Sequence, residues 1–166
     1  WEWVSGMRLV DGEIQIIPYG HAMKPDCSMS ATSTEWKAIK PDGTLVEPGT
    51  AGTLKIDRTS ASDATLRINT SVTTRTTDSN DTNADFKATA AVSGVTIPKI
   101  LIAAGLFPEA GMKSPGHYWA RNNGERLPFR GSCFGNTSYG GVAALNLNHP
   151  RSYSSYNVAF RSAFVE

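Results

Sequence analysis

The sequence has very few cysteines and no excess of charge of either sign. Cys27 and Cys133 are the only two in 166 residues and lie far apart, so a disulfide between them is allowed but not required. The 16 Lys and Arg residues nearly balance the 15 Asp and Glu residues. This balance gives no electrostatic reason to expect binding to nucleic acid or to an anionic membrane surface.

Long apolar runs and metal-binding motifs are also missing from the sequence. No stretch reaches the roughly 20 apolar residues of a membrane-spanning helix, and none has the form of a secretion signal. We therefore expect no membrane insertion. There is no CxxC or HxxxH spacing and no acidic residue between Glu125 and Glu166, so we expect neither a metal ion nor a cofactor.

The composition is typical of a folded domain. Hydrophobic residues make up 40% of the chain and charged residues 19%, which suits one domain spanning residues 1–166. Because the chain starts at Trp1 rather than Met, we expect it to be the C-terminal part of a longer protein.

Short strand and helix signals alternate along the chain and predict an α+β fold with short strands, two helices and a loop-rich C-terminal third. Asp11-Gly12 and Pro41-Asp42-Gly43 have the composition of turns. The predicted strands lie in residues 1–20, 53–57, 64–69, 145–148 and 156–165. A helical turn is predicted at 33–39, helices at 84–92 and 98–104, and an exposed loop at 70–83.

Residues 144–164 combine regular apolar spacing with an unusual polar insert. Five apolar residues keep two-residue spacing on either side of residues 148–157, which contain only Asn, His, Pro, Arg, Ser and Tyr. These five are Leu145, Leu147, Val158, Phe160 and Phe164. The spacing predicts a buried scaffold, and the insert predicts a binding surface that the scaffold supports.

Three stretches carry the most specific pattern: residues 118–131 (YWARNNGERLPFRG), 141–145 (GVAAL) and 157–164 (NVAFRSAF). Together they resemble the variable proteins of diversity-generating retroelements, over about the last third of the chain. Ser132 and Cys133 depart from that pattern, which usually has a second Gly and then an aromatic residue after Arg-Gly.

The resemblance implies a C-type lectin-like fold, related to that of formylglycine-generating enzymes. It also implies a receptor-binding protein at a phage or prophage tail tip or on a bacterial surface. In that family a reverse transcriptase randomises the adenines of a template, so that Asn codons AAC and AAT become NNC and NNT. Residues 130–164 would be the variable, ligand-binding region.

The genetic code gives a check on this implication. NNC and NNT codons cannot specify Lys, Glu, Gln, Met or Trp, and none of these five occurs in residues 131–163, although all five occur earlier. A loop that simply favours small polar residues would show much of the same composition.

Thirteen residues of the variable region are candidate ligand contacts. Tyr and other rings provide stiff contact area at low entropy cost, whereas Ser, Asn and Gly adapt their hydrogen bonds. The predicted anchors are Phe134, Tyr139, His149, Tyr153 and Tyr156. The predicted adaptable positions are Ser132, Cys133, Asn136, Ser138, Asn146, Asn148, Ser155 and Asn157.

Several residues also fit purely structural roles. Tyr153 and Tyr156 fit half-buried strand positions as well, and Tyr139 also fits a turn next to Gly140-Gly141. Arginines 130, 151 and 161 are expected to bond loop carbonyls with their fork of donors. Tryptophans 36 and 119 are expected in the core.

Three other functions stay open beside receptor binding. An enzyme of the formylglycine-generating type would need a reactive cysteine pair, and only Cys133 lies in the relevant region. A calcium-dependent lectin would need clustered carboxylates. A non-diversified adhesin or carbohydrate-binding lectin fits every feature except the codon pattern. We expect a binding protein rather than an enzyme, with a bacterial cell-surface protein or glycan as partner and a homo-oligomer on a phage particle.

The division into scaffold and surface predicts opposite effects for two substitutions. Tyr156→Ala should weaken ligand binding and leave the melting temperature nearly unchanged, because an exposed anchor contributes little to folding. Phe160→Ala should cost about 3–5 kcal/mol of unfolding free energy if its ring is core. Thermal and urea denaturation of both variants test this, and a large melting shift from Tyr156→Ala would contradict it.

Overall fold

The computed structural model describes residues 1–22, 24–60, 65–112 and 116–159. In these ranges the chain is a mixed α/β domain made mostly of short strands. The strands are β1 (Glu2–Trp3), β2 (Met7–Val10), β3 (Glu13–Ile16), β4 (Lys37–Ile39), β5 (Leu45–Val46), β6 (Lys55–Arg58), β7 (Leu66–Asn69), β8 (Thr82–Asp85), β9 (Ala90–Ala91), β10 (His117–Ala120), β11 (Glu125–Arg130) and β12 (Leu145–His149). The helices are α1 (Tyr19–Ala22) and α2 (Lys99–Ala103), with 3-10 helices at Phe86–Ala88 and Phe134–Tyr139.

The strands form one sheet with two halves that meet at β11. The N-terminal half runs β2-β3-β6-β7-β9, and β4 and β5 branch from β3. The C-terminal half runs β8-β10-β12-β11, and β1 pairs with the other edge of β11. Most pairs are antiparallel, whereas β10 and β12 are parallel, as are β7 and β9.

Pro128 marks the place where the two halves diverge. Residues 125 and 126 of β11 pair with β2, whereas residues 129 and 130 pair with β1. The register with β12 shifts between Leu127 and Phe129. Proline has no N–H to donate and is confined within sheets to edges and bulges, so the irregularity falls where the sequence requires it.

The first hairpin follows from its turn, as predicted. Asp11 and Gly12 both have positive φ, 49° and 87°. Two such residues in succession are typical of a type I′ turn, whose twist matches that of the flanking strands. The turn sets the register in which Leu9 lies opposite Ile14, and both side chains are fully buried.

Two helix predictions were wrong because distant strands pair with these segments. The predicted helical turn at 33–39 instead contains β4, which pairs with β3. The indole of Trp36 is buried as expected, donates to the carbonyl of Ser30 at 2.9 Å and lies under the guanidinium of Arg8. The predicted helix at 84–92 is instead part of β8, a 3-10 turn and β9, paired with β10 and β7. Sheet pairing overrides a modest helix preference in both places.

Helix α2 confirms the prediction for residues 98–104. Pro98 precedes its first residue, Leu101 is buried, and Gly105 ends it at φ 65°. Arg130 Nη2 donates to the carbonyls of Ala104 and Gly105, at 2.9 and 2.8 Å. The predicted role of Arg130 in bonding loop carbonyls is therefore confirmed, and it links α2 to the end of β11.

The polar run 70–83 is less exposed than predicted. Thr76 and Thr82 are buried, and Thr82 begins β8. Asn122, which is 1% exposed, accepts from the amide of Thr76 at 2.8 Å and donates to the carbonyl of Thr74 at 2.9 Å. One buried amide therefore fastens this run against the sheet. No helix in the described ranges is long and apolar enough to cross a membrane.

Gly116 allows a close backbone approach that no side chain can replace. At φ 150°, a Cβ on Gly116 would lie 2.6 Å from the carbonyl carbon of Ala143 and would also collide with the amide nitrogen of Ala144. We expect Gly116→Ala to cost about 3 kcal/mol of unfolding free energy. Gly111→Ala is the matched control, since Gly111 has φ 77° and open space around it, and should cost about 1 kcal/mol. Equal losses in urea denaturation would contradict the role of this contact.

Candidate functional site

The C-terminal half-sheet has one face on the core and a second face rich in aromatic side chains. Tyr118 and Ala120 of β10 point into the core together with Leu145 and Leu147 of β12, and all four are fully buried. Because side chains alternate along a strand, the residues between them lie on the opposite face. The predicted burial of Leu145 and Leu147 is therefore confirmed.

That second face is built around one row of paired residues. Asn146 of β12 lies opposite Trp119 of β10 on one side and Phe129 of β11 on the other. Phe129 in turn lies opposite Trp3 of β1, and their rings meet edge to face at 3.9 Å between centroids. Paired residues project to the same side of a sheet. We call this side, with His117 included, the aromatic face.

Two groups of rings stand on the aromatic face. Phe129, His149 and Tyr153 form a stacked column, with centroids 5.3 Å apart for the first pair and 3.8 Å for the second. Trp119 meets Trp1 edge to face at 5.4 Å. Asn146 lies in the sheet row between the column and the tryptophan pair.

These rings and several amides enclose a cavity of about 200 Å³. Six of the thirteen predicted ligand contacts line it: Cys133, Asn136, Asn146, His149, Tyr153 and Asn157. The other lining residues are Trp1, Trp119, Phe129 and Val158. All except Phe129 keep partial exposure, so the cavity opens to solvent.

Six further predicted contacts lie outside the cavity lining. Phe134 and Tyr156 project freely, with relative exposures of 103% and 102%, and Tyr139 is 52% exposed with its ring 4.5 Å from that of His117. Ser138 is exposed, and Ser132 and Ser155 are half-buried.

Asn148 does not belong to the exposed surface, contrary to the prediction. It is 6% exposed, and its Nδ2 donates to Asp81 Oδ2 at 2.5 Å. Its carbonyl accepts from Arg126 Nη1 at 2.9 Å. Both partners are distant in sequence, so the composition of the insert gave no sign that this asparagine fixes the backbone.

Trp119 was expected in the core and instead lines the cavity. The alternation in residues 117–120 requires Tyr118 and Trp119 to face opposite sides of β10, but only the pairing partners decide which ring is buried. Trp1 was not predicted either. Its backbone carbonyl accepts from the amide of Ala159 at 3.0 Å, which brings it beside the C-terminal segment.

Arg151 fastens the polar insert to the N-terminal half-sheet. Its guanidinium donates to both oxygens of Glu125, at 3.1 and 2.8 Å, and Glu125 also accepts from Arg8 at 2.9 Å. Arg151 is thus structural as predicted, although it bonds a carboxylate rather than loop carbonyls. These contacts lower the pKa of Glu125, and the hydrogen bond from Arg151 has the largest effect. The partial burial of Glu125 acts in the opposite direction.

Predictions for the last residues fall outside the described ranges. These are the core roles of Phe160 and Phe164, the carbonyl-bonding role of Arg161 and the strand beyond residue 159. Within residues 156–159 the chain turns at Tyr156 and Asn157 and forms an isolated bridge between Ala159 and Glu2.

The turn from Cys133 to Tyr139 forms a rim of the cavity. Asn136 Oδ1 accepts from the amide of Cys133 at 3.2 Å and from its Sγ at 2.8 Å. Thr137 has φ 44° and ψ −119°, a conformation typical of glycine in a type II′ turn. Cys27 and Cys133 are both free thiols.

No side chain that lines the cavity is charged at neutral pH, whereas the α-ammonium group of Trp1 donates to the carbonyls of Ser132 and Asn157, both at 2.9 Å. Burial, together with the nearby cations of Arg121 and Arg126, lowers the pKa of His149 below its usual value. Burial also lowers the pKa of His117, against the opposing effect of Asp85. In the described part of the chain no group of three or more His, Cys, Asp or Glu residues is placed to hold a metal ion. Rings and amides are thus the groups available for binding.

A comparison with protein-family models finds no match to this chain, and a comparison with curated proteins finds none either.

The two half-buried histidines, His117 and His149, predict a pH dependence of stability. Their pKa values are lower in the folded protein than in the unfolded chain, so between the two values the unfolded chain binds more protons. The unfolding free energy should therefore be fully present above about pH 6.5 and decrease as the pH falls below it. Urea denaturation between pH 5.5 and 7.5 measures this, and His149→Phe should reduce the slope. Greater stability at pH 5.5 than at 7.5 would refute the assignment.

Proposed function

We propose that this chain is the receptor-binding variable domain of a diversity-generating retroelement, with a C-type lectin-like fold. It acts by binding rather than by catalysis. Its target is a protein or glycan on a bacterial cell surface, and its place is a phage or prophage tail tip or another extracellular surface. The observation that carries the proposal is the division of residues 131–159 between a buried scaffold and one outward surface.

The scaffold supports the proposal because its residues are held by partners other than the exposed residues that are predicted to bind the ligand. Leu145 and Leu147 are held by the core, Arg130 by α2 and Arg151 by Glu125. Substitution of exposed side chains away from such contacts usually changes stability by less than about 0.5 kcal/mol. A surface of this kind tolerates repeated change while the backbone beneath it stays in place.

The exposed rings support a binding role for the same surface. Phe134 and Tyr156 leave their rings in water, although rings of this size contribute strongly when buried in an interface. Ser138 and Ser155 lie in the same segments as adaptable neighbours. Tyr, Ser and Asn in such a mixture are the residues that antibody loops use.

The residue types on this surface also fit the proposed codon chemistry. Every candidate contact is Ser, Cys, Phe, Asn, Tyr or His, which NNC and NNT codons specify. Thr137, which these codons also specify, stands where the backbone favours glycine.

Affinity at one site is expected to resemble that of antibody paratopes, roughly micromolar to nanomolar. A homo-oligomer on a phage particle would engage several receptors at once. Effective concentration then raises the overall avidity by about 10²–10⁴ without new contacts.

The locus gives the direct test. DNA sequencing of a mixed population should find a near-copy of the segment encoding residues 130–164, differing from it only where the copy has adenine, beside a reverse-transcriptase gene. Within the described residues, the differing codons should map to the outward surface and not to Leu145 or Leu147. An invariant segment with no copy would refute diversification and favour a fixed adhesin or lectin.

A further inference from the structure

We infer that the cavity on the aromatic face binds one neutral six-membered sugar ring of a surface glycan, without a metal ion. This inference rests on the proposed function and specifies the ligand of one part of that surface. Four properties of the cavity support it: its two aromatic walls, its free amide donors, its uncharged lining side chains and its size.

The walls suit the apolar faces of a sugar ring. Trp119 and Phe129 lie on strands separated by β12, so their backbones are about 10 Å apart. His149 stacks on Phe129 and Tyr153 stacks on His149, so these three rings form one wall. The space between the walls is therefore bounded by aromatic rings on two sides, and the C–H faces of a pyranose pack against aromatic carbon.

The floor and rim present hydrogen-bond donors to a bound ring. Asn146 Oδ1 accepts from the amide of Asn148 at 2.9 Å, and Asn136 Oδ1 accepts from Cys133. Within the described ranges the Nδ2 groups of these two asparagines have no acceptor in the protein. Sugar hydroxyl and ring oxygens are acceptors for such donors.

No lining side chain offers a charge to pair with an acidic or basic ligand, and the α-ammonium group of Trp1 is already bonded to the carbonyls of Ser132 and Asn157. None of the ten lining residues has a carboxylate, an ammonium or a guanidinium in its side chain, and burial keeps His149 neutral. A calcium-bridged sugar needs carboxylate oxygens around the metal. A neutral ring that binds directly matches the lining.

The size of the cavity matches one ring. A cavity of about 150 Å³ holds benzene, so about 200 Å³ accommodates a six-membered ring with its substituents. Drug-sized ligands occupy sites of roughly 300–1,000 Å³. An apolar protein side chain would fit the volume but would leave the amides of Asn136 and Asn146 unpaired, at a cost. A hydroxylated ring satisfies both the walls and the amides.

Saturation-transfer NMR with simple glycosides tests the inference. The probes are the neutral methyl pyranosides of glucose, galactose, mannose and N-acetylglucosamine, with methyl glucuronide as the charged comparison and EDTA throughout. At least one neutral probe should bind at roughly millimolar Kd and shift the indole N–H signal of Trp119. Binding that requires calcium, preference for the glucuronide, or no binding by any neutral probe would each overturn it.

Two variants and a matched control locate the binding. Asn146→Leu should weaken it at least about tenfold through loss of the floor donor. Tyr153→Ala should have a similar effect and leaves the sheet pairing untouched. Asn83→Leu is the control, because Asn83 is an exposed asparagine opposite Trp119 on the side away from Asn146 and does not line the cavity. Equal effects of Asn83→Leu and Asn146→Leu would place the sugar elsewhere.

Failure of this inference can be told apart from failure of the proposed function. A template copy at the locus without sugar binding overturns the inference and leaves a diversified surface for a protein receptor. Sugar binding without a template copy supports the cavity chemistry and overturns diversification, leaving a fixed lectin.

Discussion

The arrangement of the C-terminal half-sheet depends on β11 and the irregularity at Pro128. A strand with unbroken hydrogen bonding would keep one partner along each edge. Because Pro128 has no N–H, β11 changes partner from β2 to β1 along one edge and shifts its register with β12 along the other. The half-sheet beyond this point therefore has its own alignment, with Phe129 beside Trp3 and Asn146.

The same half-sheet separates the core contacts from the candidate binding residues. Its inner face carries Tyr118, Leu145 and Leu147 into a core shared with the N-terminal half. Its outer face carries rings that pack mainly on one another, over a cavity that stays open. Arg130 and Arg151 hold the ends of the segments that cover this face, through α2 and Glu125. Changes on the outer face therefore leave the main core contacts in place.

Sequence reasoning succeeded where the cause of a structure is local. The Asp11-Gly12 hairpin, α2 with its stop at Gly105, and the burial of Leu145 and Leu147 all follow from residues within a few positions. It failed where a distant partner decides. The strands at 37–39 and 82–85 form because β3 and β10 pair with them, against a local helix preference.

The candidate site shows the same division. The sequence of the polar insert, residues 148–157, indicated the residue types of the site. The structure places six of the predicted ligand contacts around one cavity. Trp1 and Trp119 were missed because which face they occupy depends on the partners of β1 and β10. Asn148 was misplaced because its partners, Asp81 and Arg126, approach only through the fold. Composition therefore identifies the residue types of such a site, whereas strand pairing decides on which face of the sheet each residue lies.

The strand order also implies a sequence of events during synthesis. Strands β2 to β7 pair among near neighbours, so much of the N-terminal half can assemble while the ribosome is still adding later residues. The outer face instead requires β1 to wait for β11, and β10 for β12 in a parallel pair. The strands that carry the aromatic face therefore complete their pairing after those of the N-terminal half. A changed side chain on that face therefore meets N-terminal strands that have already paired, and it interferes little with their folding.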